Sequence, residues 1–157
     1  MNDLQPGDKA PDFKTATDKH GTISLSDYKG RKLVLYFYPK DDTPGCTKQA
    51  CGFNENLEAF QNLNVDVIGV SKDPVQKHQK FREKYDLEFP LIADEETILC
   101  QKYGVWKEKN MYGKKLMGIE RTTFLIEEQG RIEKIWRKVK VKDHIEEVLD
   151  AARDRAS

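Results

Sequence analysis

Leu33-Val-Leu-Tyr-Phe-Tyr38 is a continuous apolar run, and Pro39 follows it at once. A strand that is apolar at every position is covered on both faces, as in a parallel sheet, and a proline cannot extend its ladder. Downstream, Val65-Asp-Val-Ile-Gly-Val70 reads as a second strand and Phe89 to Ala93 as a short third one. Helical periodicity fills the intervals: about Pro44 to Leu63, with Phe53, Leu57 and Phe60 along one face, and Val75 to Tyr85. Glu95 to Tyr103 reads as a further helix. Strand, helix, strand, helix, strand at these lengths implies a parallel sheet with crossover helices.

The flanks complete the outline. Thr22-Ile-Ser-Leu-Ser26 alternates like a half-buried strand after a turn at Lys19-His20-Gly21, which predicts an N-terminal hairpin. Thr122-Thr-Phe-Leu-Ile126 and Arg131-Ile-Glu-Lys-Ile-Trp136 flank a turn at Gln129-Gly130, a second hairpin. Asp143 to Arg153 closes the chain as a helix with Ile145, Val148, Leu149 and Ala152 inward. The fold class is therefore α/β, a thioredoxin-like fold. A central mixed sheet is flanked by helices, with an added N-terminal β-hairpin. No repeat, low-complexity tract or linker interrupts residues 1–157, which read as a single domain.

Composition narrows the function. The 157 residues are 38% hydrophobic, enough for one core at this size. Lys+Arg and Asp+Glu are both 27, for zero net charge. That balance argues against nucleic-acid binding. The basic stretches Lys107 to Lys115 and Lys138 to Lys142 read as solvated surface. The longest purely apolar run, residues 33–38, is far short of the ~20 residues that span a bilayer. The N-terminus shows no secretory pattern, and three cysteines are too few for a disulfide scaffold. A soluble, cytoplasmic protein without a cofactor is expected.

The chemistry concentrates in Tyr38-Pro-Lys-Asp-Asp-Thr-Pro-Gly-Cys-Thr-Lys-Gln-Ala-Cys51, where a buried strand passes into a helix. Functional loops of open α/β sheets occupy this position. Thr43 suits the N-cap and Pro44 the first helical position, so Cys46 falls third. A thiol there faces unpaired N–H groups and the positive end of the helix dipole, which favour a thiolate. Gly45 leaves the backbone open to close approach. By spacing alone, Cys51 fits a reactive residue or a core residue equally well. Cys100, among apolar residues of a short helix, reads as a buried spectator.

Pro39, Thr43 and Cys46 form P-x-x-x-T-x-x-C, which resembles the peroxiredoxin active-site signature. With Cys51 following, the spacing is similar to that of the peroxiredoxin Q subfamily, also called bacterioferritin comigratory protein. The likeness extends through G-D-K-A-P-D-F, Y-F-Y-P-K, G-V-W, R-T-T-F-L-I and G-R-I, in that order. The resemblance implies a thioredoxin-dependent peroxidase that reduces hydrogen peroxide and organic hydroperoxides. Cys46 would be the peroxidatic residue that becomes a sulfenic acid, and Cys51 the resolving residue that closes an intramolecular disulfide. Thr43 would hydrogen-bond the thiolate and the peroxide. Arg121 would stabilise the thiolate and the developing charge, and Pro39 would shape and shield the pocket. A thioredoxin or similar dithiol would be the reductant, and the protein would act as a monomer.

Two other readings compete. A thioredoxin-like disulfide reductase needs C-x-x-C on this turn, whereas Thr43 stands where the first cysteine would be. A zinc-binding module would draw on the three cysteines with His20, His78 and His144, but C-x₄-C lies at the edge of common spacing.

Overall fold

The computed structural model describes residues 3–153. Its elements run β1 (Lys14–Ala16), β2 (Thr22–Ser24), β3 (Lys32–Phe37), α1 (Pro44–Glu55), α2 (Leu57–Asn62), β4 (Val65–Ser71), α3 (Val75–Tyr85) and β5 (Leu91–Ala93). They continue with α4 (Ile98–Lys102), β6 (Trp106–Met111), β7 (Lys114–Ile119), β8 (Thr122–Ile126), β9 (Ile132–Trp136) and α5 (His144–Arg153). The main sheet has the order β5-β4-β3-β8-β9. β3, β4 and β5 are parallel, and β8 and β9 are antiparallel to their neighbours. This is the expected mixed sheet of a thioredoxin-like fold, and β1 with β2 forms the added N-terminal hairpin.

β3 lies at the centre, and its alternate residues build two cores. Leu33, Leu35 and Phe37 join Ile68, Val70, Phe124, Tyr103 and the N-terminal segment on one face. Val34, Tyr36 and Tyr38 join Phe53, Phe60, Phe81, Leu125 and Val148, and so α1, α2, α3 and α5, on the other. Burial of both faces explains why the run shows no alternation. At Gly52 a Cβ would lie 2.7 Å from Cγ1 of Ile145, so the absent side chain lets α1 and α5 pack closely. Arg82 is buried through its pairing with Asp18 and the carbonyls of Leu87 and Phe89.

Several boundaries differ from the expectation. The long helix is broken at Asn56, whose side-chain amide donates to the Gly52 carbonyl at 2.9 Å. The second strand ends at Ser24 because Asp27 accepts from the Ser24 N–H, 2.9 Å, and starts a 3-10 turn over Leu25–Tyr28. β5 and α4 are shorter than their apolar patterns. Lys107 to Lys115 is exposed for the most part, as expected, but belongs to the antiparallel hairpin β6–β7, which was not anticipated. Its turn, Tyr112-Gly113, has φ of 53° and 78°, as a two-residue hairpin turn demands. Its strands are charged on both faces and so lack the alternation that marks a half-buried strand.

α5 begins with His144, which is 1% exposed and whose Nε2 lies 2.9 Å from the Thr123 hydroxyl of β8. Burial first, and then the positive charge of Arg121, lower its pKa to about 4. The ring is therefore neutral at ordinary pH. An unfolded chain takes up this proton near pH 6.5, so acid favours unfolding across the interval between the two values. Stability should fall as pH drops from about 6.5 toward 4, and His144→Gln should flatten that part of the profile. Denaturation midpoints measured across this range check it.

Candidate active site

β3 ends at Phe37, and just past it the Tyr38 N–H still donates to the Val70 carbonyl at 3.0 Å. The chain then leaves through residues 39–43 and enters α1. Thr43 is extended, with φ −96° and ψ 158°, and Pro44 takes the first helical position. Proline there gives up an N–H that would have no helical partner anyway. The Thr43 carbonyl accepts from the Thr47 N–H at 2.8 Å, which places Cys46 third in the helix.

One expectation is corrected. The Thr43 hydroxyl does not cap the helix; it donates to the Lys40 carbonyl at 2.9 Å. The amides of the first turn are thus left without a cap from Thr43, and the oxygen of Thr43 keeps its lone pairs for another donor. Pro39 and Thr43 are half-buried beside this turn, and Cys46 is 1% exposed.

Arg121 arrives from the other side of β3. In the antiparallel register Thr122 stands opposite Phe37, so Arg121 lies level with the end of β3. Its carbonyl accepts from the Val139 N–H at 3.0 Å, which fixes the backbone there. One guanidinium nitrogen, Nη2, contacts the Cys46 sulfur at 3.3 Å, and Nη1 donates to Oε1 of Gln49 at 2.6 Å. The guanidinium therefore bridges one turn of α1, and its positive charge meets the sulfur where the helix dipole is also positive. Gly45 makes this possible: a Cβ there would lie 3.2 Å from Nη2. The group that approaches this glycine is Arg121.

Three neighbours escaped the sequence reading. Gln49 is fully buried, and its Nε2 has no hydrogen-bond partner among the described residues. Its spacing from Cys46 was the available signal. Lys109 of β6 senses the same site. Partial burial and the charge of Arg121 lower its pKa, while Glu120 and Cys46 oppose that shift. Tyr36 is fully buried with an unpartnered hydroxyl, and burial followed by the nearby Cys46 raises its pKa.

The other cysteines differ in kind. Cys51 lies on α1 and is partly exposed, with its thiol pKa raised by desolvation and then by the Glu55 charge. Both it and Cys46 are free thiols. Cys100 is fully buried and its backbone N–H donates to Asp94 at 2.8 Å. Burial, with Asp94 beside it, pushes that thiol far above the ordinary range. The cysteines and histidines weighed as zinc ligands do not gather. The one group of candidate ligand atoms within 4.8 Å, among the described residues, is Asp41, Asp73 and His78. Their atoms already have partners: Nδ1 of His78 lies 2.6 Å from the Asp41 carboxylate, and the Asp73 carboxylate accepts from the Asp41 backbone N–H at 2.8 Å.

Comparison with known proteins agrees with this geometry. The model of the AhpC/TSA family matches residues 6–135. Peroxiredoxin Bcp of Bacillus subtilis (strain 168) is 52% identical over 151 residues, covering 96% of each chain. A cysteine variant of PrxQ from Xylella fastidiosa superposes with a TM-score of 0.94 at 41% identity, covering 100% of both chains. A bacterioferritin comigratory protein from Xanthomonas campestris gives 0.88 at 41% identity over 92% of each chain. That protein was solved in trapped intermediate and ligand complexes bearing on its alkyl peroxide reduction activity. The present chain belongs to the AhpC/TSA family and, within it, to the Bcp or peroxiredoxin Q group of thiol-dependent peroxidases.

Proposed function

We propose that the chain reduces hydrogen peroxide and organic hydroperoxides through Cys46, with Cys51 as the resolving cysteine and a thioredoxin-type dithiol as the reductant. The observation that carries this reading is the 3.3 Å contact of Arg121 with a buried sulfur at a helix N-terminus. The Cys46 thiolate attacks the terminal peroxide oxygen. The O–O bond breaks, an S–O bond forms, and the leaving alkoxide or hydroxide takes a proton to become alcohol or water. Negative charge spreads from sulfur to the leaving oxygen, and a guanidinium fixed before the reaction stabilises both ends. The Thr43 hydroxyl proton is occupied by the Lys40 carbonyl. Its oxygen therefore accepts from the hydroperoxide O–H and orients the attacked oxygen. Pro39 shields the pocket.

The Cys51 thiol then condenses with the Cys46 sulfenic acid, releasing water and forming the disulfide. This step requires motion. Both residues lie on the continuous helix α1, where five residues' separation places them about 140° apart and about 7.5 Å along the axis. The Cα–Cα distance is then about 8.7 Å, whereas a disulfide needs roughly 4.4–6.8 Å. The first turns of α1 must unwind, which presents the disulfide to the incoming dithiol. The chain contains no helix, among the described residues, long and apolar enough to cross a membrane. We place the cycle in a reducing compartment, the cytoplasm, in a monomer, because each step uses groups of one chain.

Cys46→Ser should abolish peroxide consumption in a coupled thioredoxin assay, while Cys100→Ser should leave it within about twofold. Cys51→Ser should react once, stall at sulfenic acid and progress to sulfinic acid under excess oxidant, as mass spectrometry would show. Retained turnover in the Cys46 variant would refute the assignment.

Arg121→Lys keeps a cation but loses the planar fork that holds the sulfur and Gln49 together. Its single-turnover rate with peroxide should fall about 10- to 1,000-fold, after correction for thiolate fraction by ultraviolet absorbance. A loss explained wholly by ionisation would restrict Arg121 to tuning the thiol. Amide exchange over residues 44–55 should be protected in reduced protein and fast after peroxide treatment. Equal protection in the two forms would contradict the unwinding.

A further inference from the structure

We propose that His78 is a positioning residue for peroxide reduction: through its hydrogen bond to Asp41 it fixes the loop that carries Pro39 and Thr43 over the Cys46 sulfur. The proposal rests on the reading above, with Cys46 as attacking group and Thr43 as peroxide acceptor.

The loop between β3 and α1 has little of its own to hold it. Lys40 and Asp42 are exposed, and Asp42 adopts a left-handed φ of 58°. Asp41 between them is 2% exposed. Its Oδ1 accepts from the Tyr38 hydroxyl at 2.6 Å, its Oδ2 lies 2.6 Å from Nδ1 of His78, and its N–H donates to Asp73 at 2.8 Å. The carboxylate is tied to Tyr38, just past β3, and to α3, while the backbone N–H beside it is tied to Asp73, just past β4. Thr43 depends on the same anchor, because its hydroxyl donates to the carbonyl of Lys40, the residue next to Asp41.

His78 is fully buried, and both its nitrogens face acceptors. The Ile92 carbonyl, 2.9 Å from Nε2, has only lone pairs, so Nε2 carries a proton. A second proton must lie between Nδ1 and the Asp41 carboxylate, since two lone pairs do not face one another at 2.6 Å. With that proton on the ring, the pair is an imidazolium held by a carboxylate. Burial opposes the charge, but the hydrogen bond and charge of Asp41, the Ile92 carbonyl and the Asp73 charge outweigh it and raise the pKa from its ordinary value. The groups facing the pair are the Tyr38 hydroxyl just past β3, Ser71 at the end of β4 with Asp73 just past it, and Lys77 of α3, whose ammonium lies 3.4 Å from Asp73. Its contribution is complete below the unfolded histidine pKa and is lost as pH rises through the raised folded value. Above that value the pair has lost its proton, and Asp41 is repelled by the lone pair it faced.

The second tie from α3 to this loop is weaker. Lys84 and Tyr85 hold Asp42 at 2.9 and 2.8 Å, but at the exposed surface, where an ion pair contributes little. Cys46 takes its position from α1 and its hydrogen bond from Arg121, and neither His78 nor Asp41 bonds it. Loss of the His78 anchor should therefore disturb how the peroxide is oriented and leave the thiolate as it was.

This separation gives the test. In reduced protein, His78→Gln should react with hydrogen peroxide about 10- to 100-fold more slowly, as expected for a displacement of about 1 Å. Alkylation of Cys46 by iodoacetamide should stay within twofold of the parent protein. The parent's peroxide rate should also fall at alkaline pH along a limb that His78→Gln lacks. Independently of any variant's folding, nitrogen NMR of histidine-labelled parent protein should show both His78 nitrogens protonated at neutral pH, losing one proton along that limb. An unchanged peroxide rate, an equal loss in both reactions, or a neutral His78 ring would overturn the proposal. Cys46→Ser is the control: peroxide reaction retained there would instead refute the parent reading.

Discussion

A guanidinium placed 3.3 Å from a buried sulfur has to be delivered by two separate parts of the chain, and the fold can be understood from that requirement. α1 starts where β3 ends, so Cys46 sits in its first turn. Arg121 precedes β8, which pairs antiparallel with β3 and so brings its start beside the same edge. Gly45 removes the side chain that would keep the two apart, and Gln49 holds the other arm of the guanidinium. A cation and a helix N-terminus are thus aimed at one sulfur. Neither would act with comparable strength in bulk water, where screening is large.

The helix that carries Cys46 in its first turn also keeps it from Cys51, since an intact α1 holds the two too far apart for a bond. The proposed cycle therefore alternates between two states of one segment: wound, with a reactive sulfur, and unwound, with a bonded one. The surrounding structure suits this division. Residues 39–43 are anchored by the buried Asp41, and β3, β4 and β8 are packed on both faces. Cys51, by contrast, is partly exposed on the helix.

Much of this was legible in the sequence because the determining signals are local. The apolar run 33–38, the alternating periods that follow and the Thr-Pro-Gly-Cys turn each carry their own physics. Arg121 was visible only through family resemblance, because nothing local sets it apart among 27 basic residues. The β6–β7 hairpin escaped because strands exposed on both faces need no apolar alternation. The Thr43 hydroxyl was misassigned because Lys40 offers a competing acceptor that depends on the loop's path. Gln49, Asp41 and His78 escaped for a further reason. Their partners lie on other elements or one turn away, and only packing buries a common polar residue and brings a partner to it.

The central claim is that one peroxide oxidises Cys46 and that Cys51 alone resolves it. Intact-mass analysis with peptide mapping, after one equivalent of peroxide, tests this most directly. The account predicts a protein that has lost two hydrogens, with Cys46 and Cys51 in one cross-linked peptide and Cys100 still a free thiol after unfolding. A product linked through Cys100, or a stable sulfenic acid with Cys51 free, would contradict it.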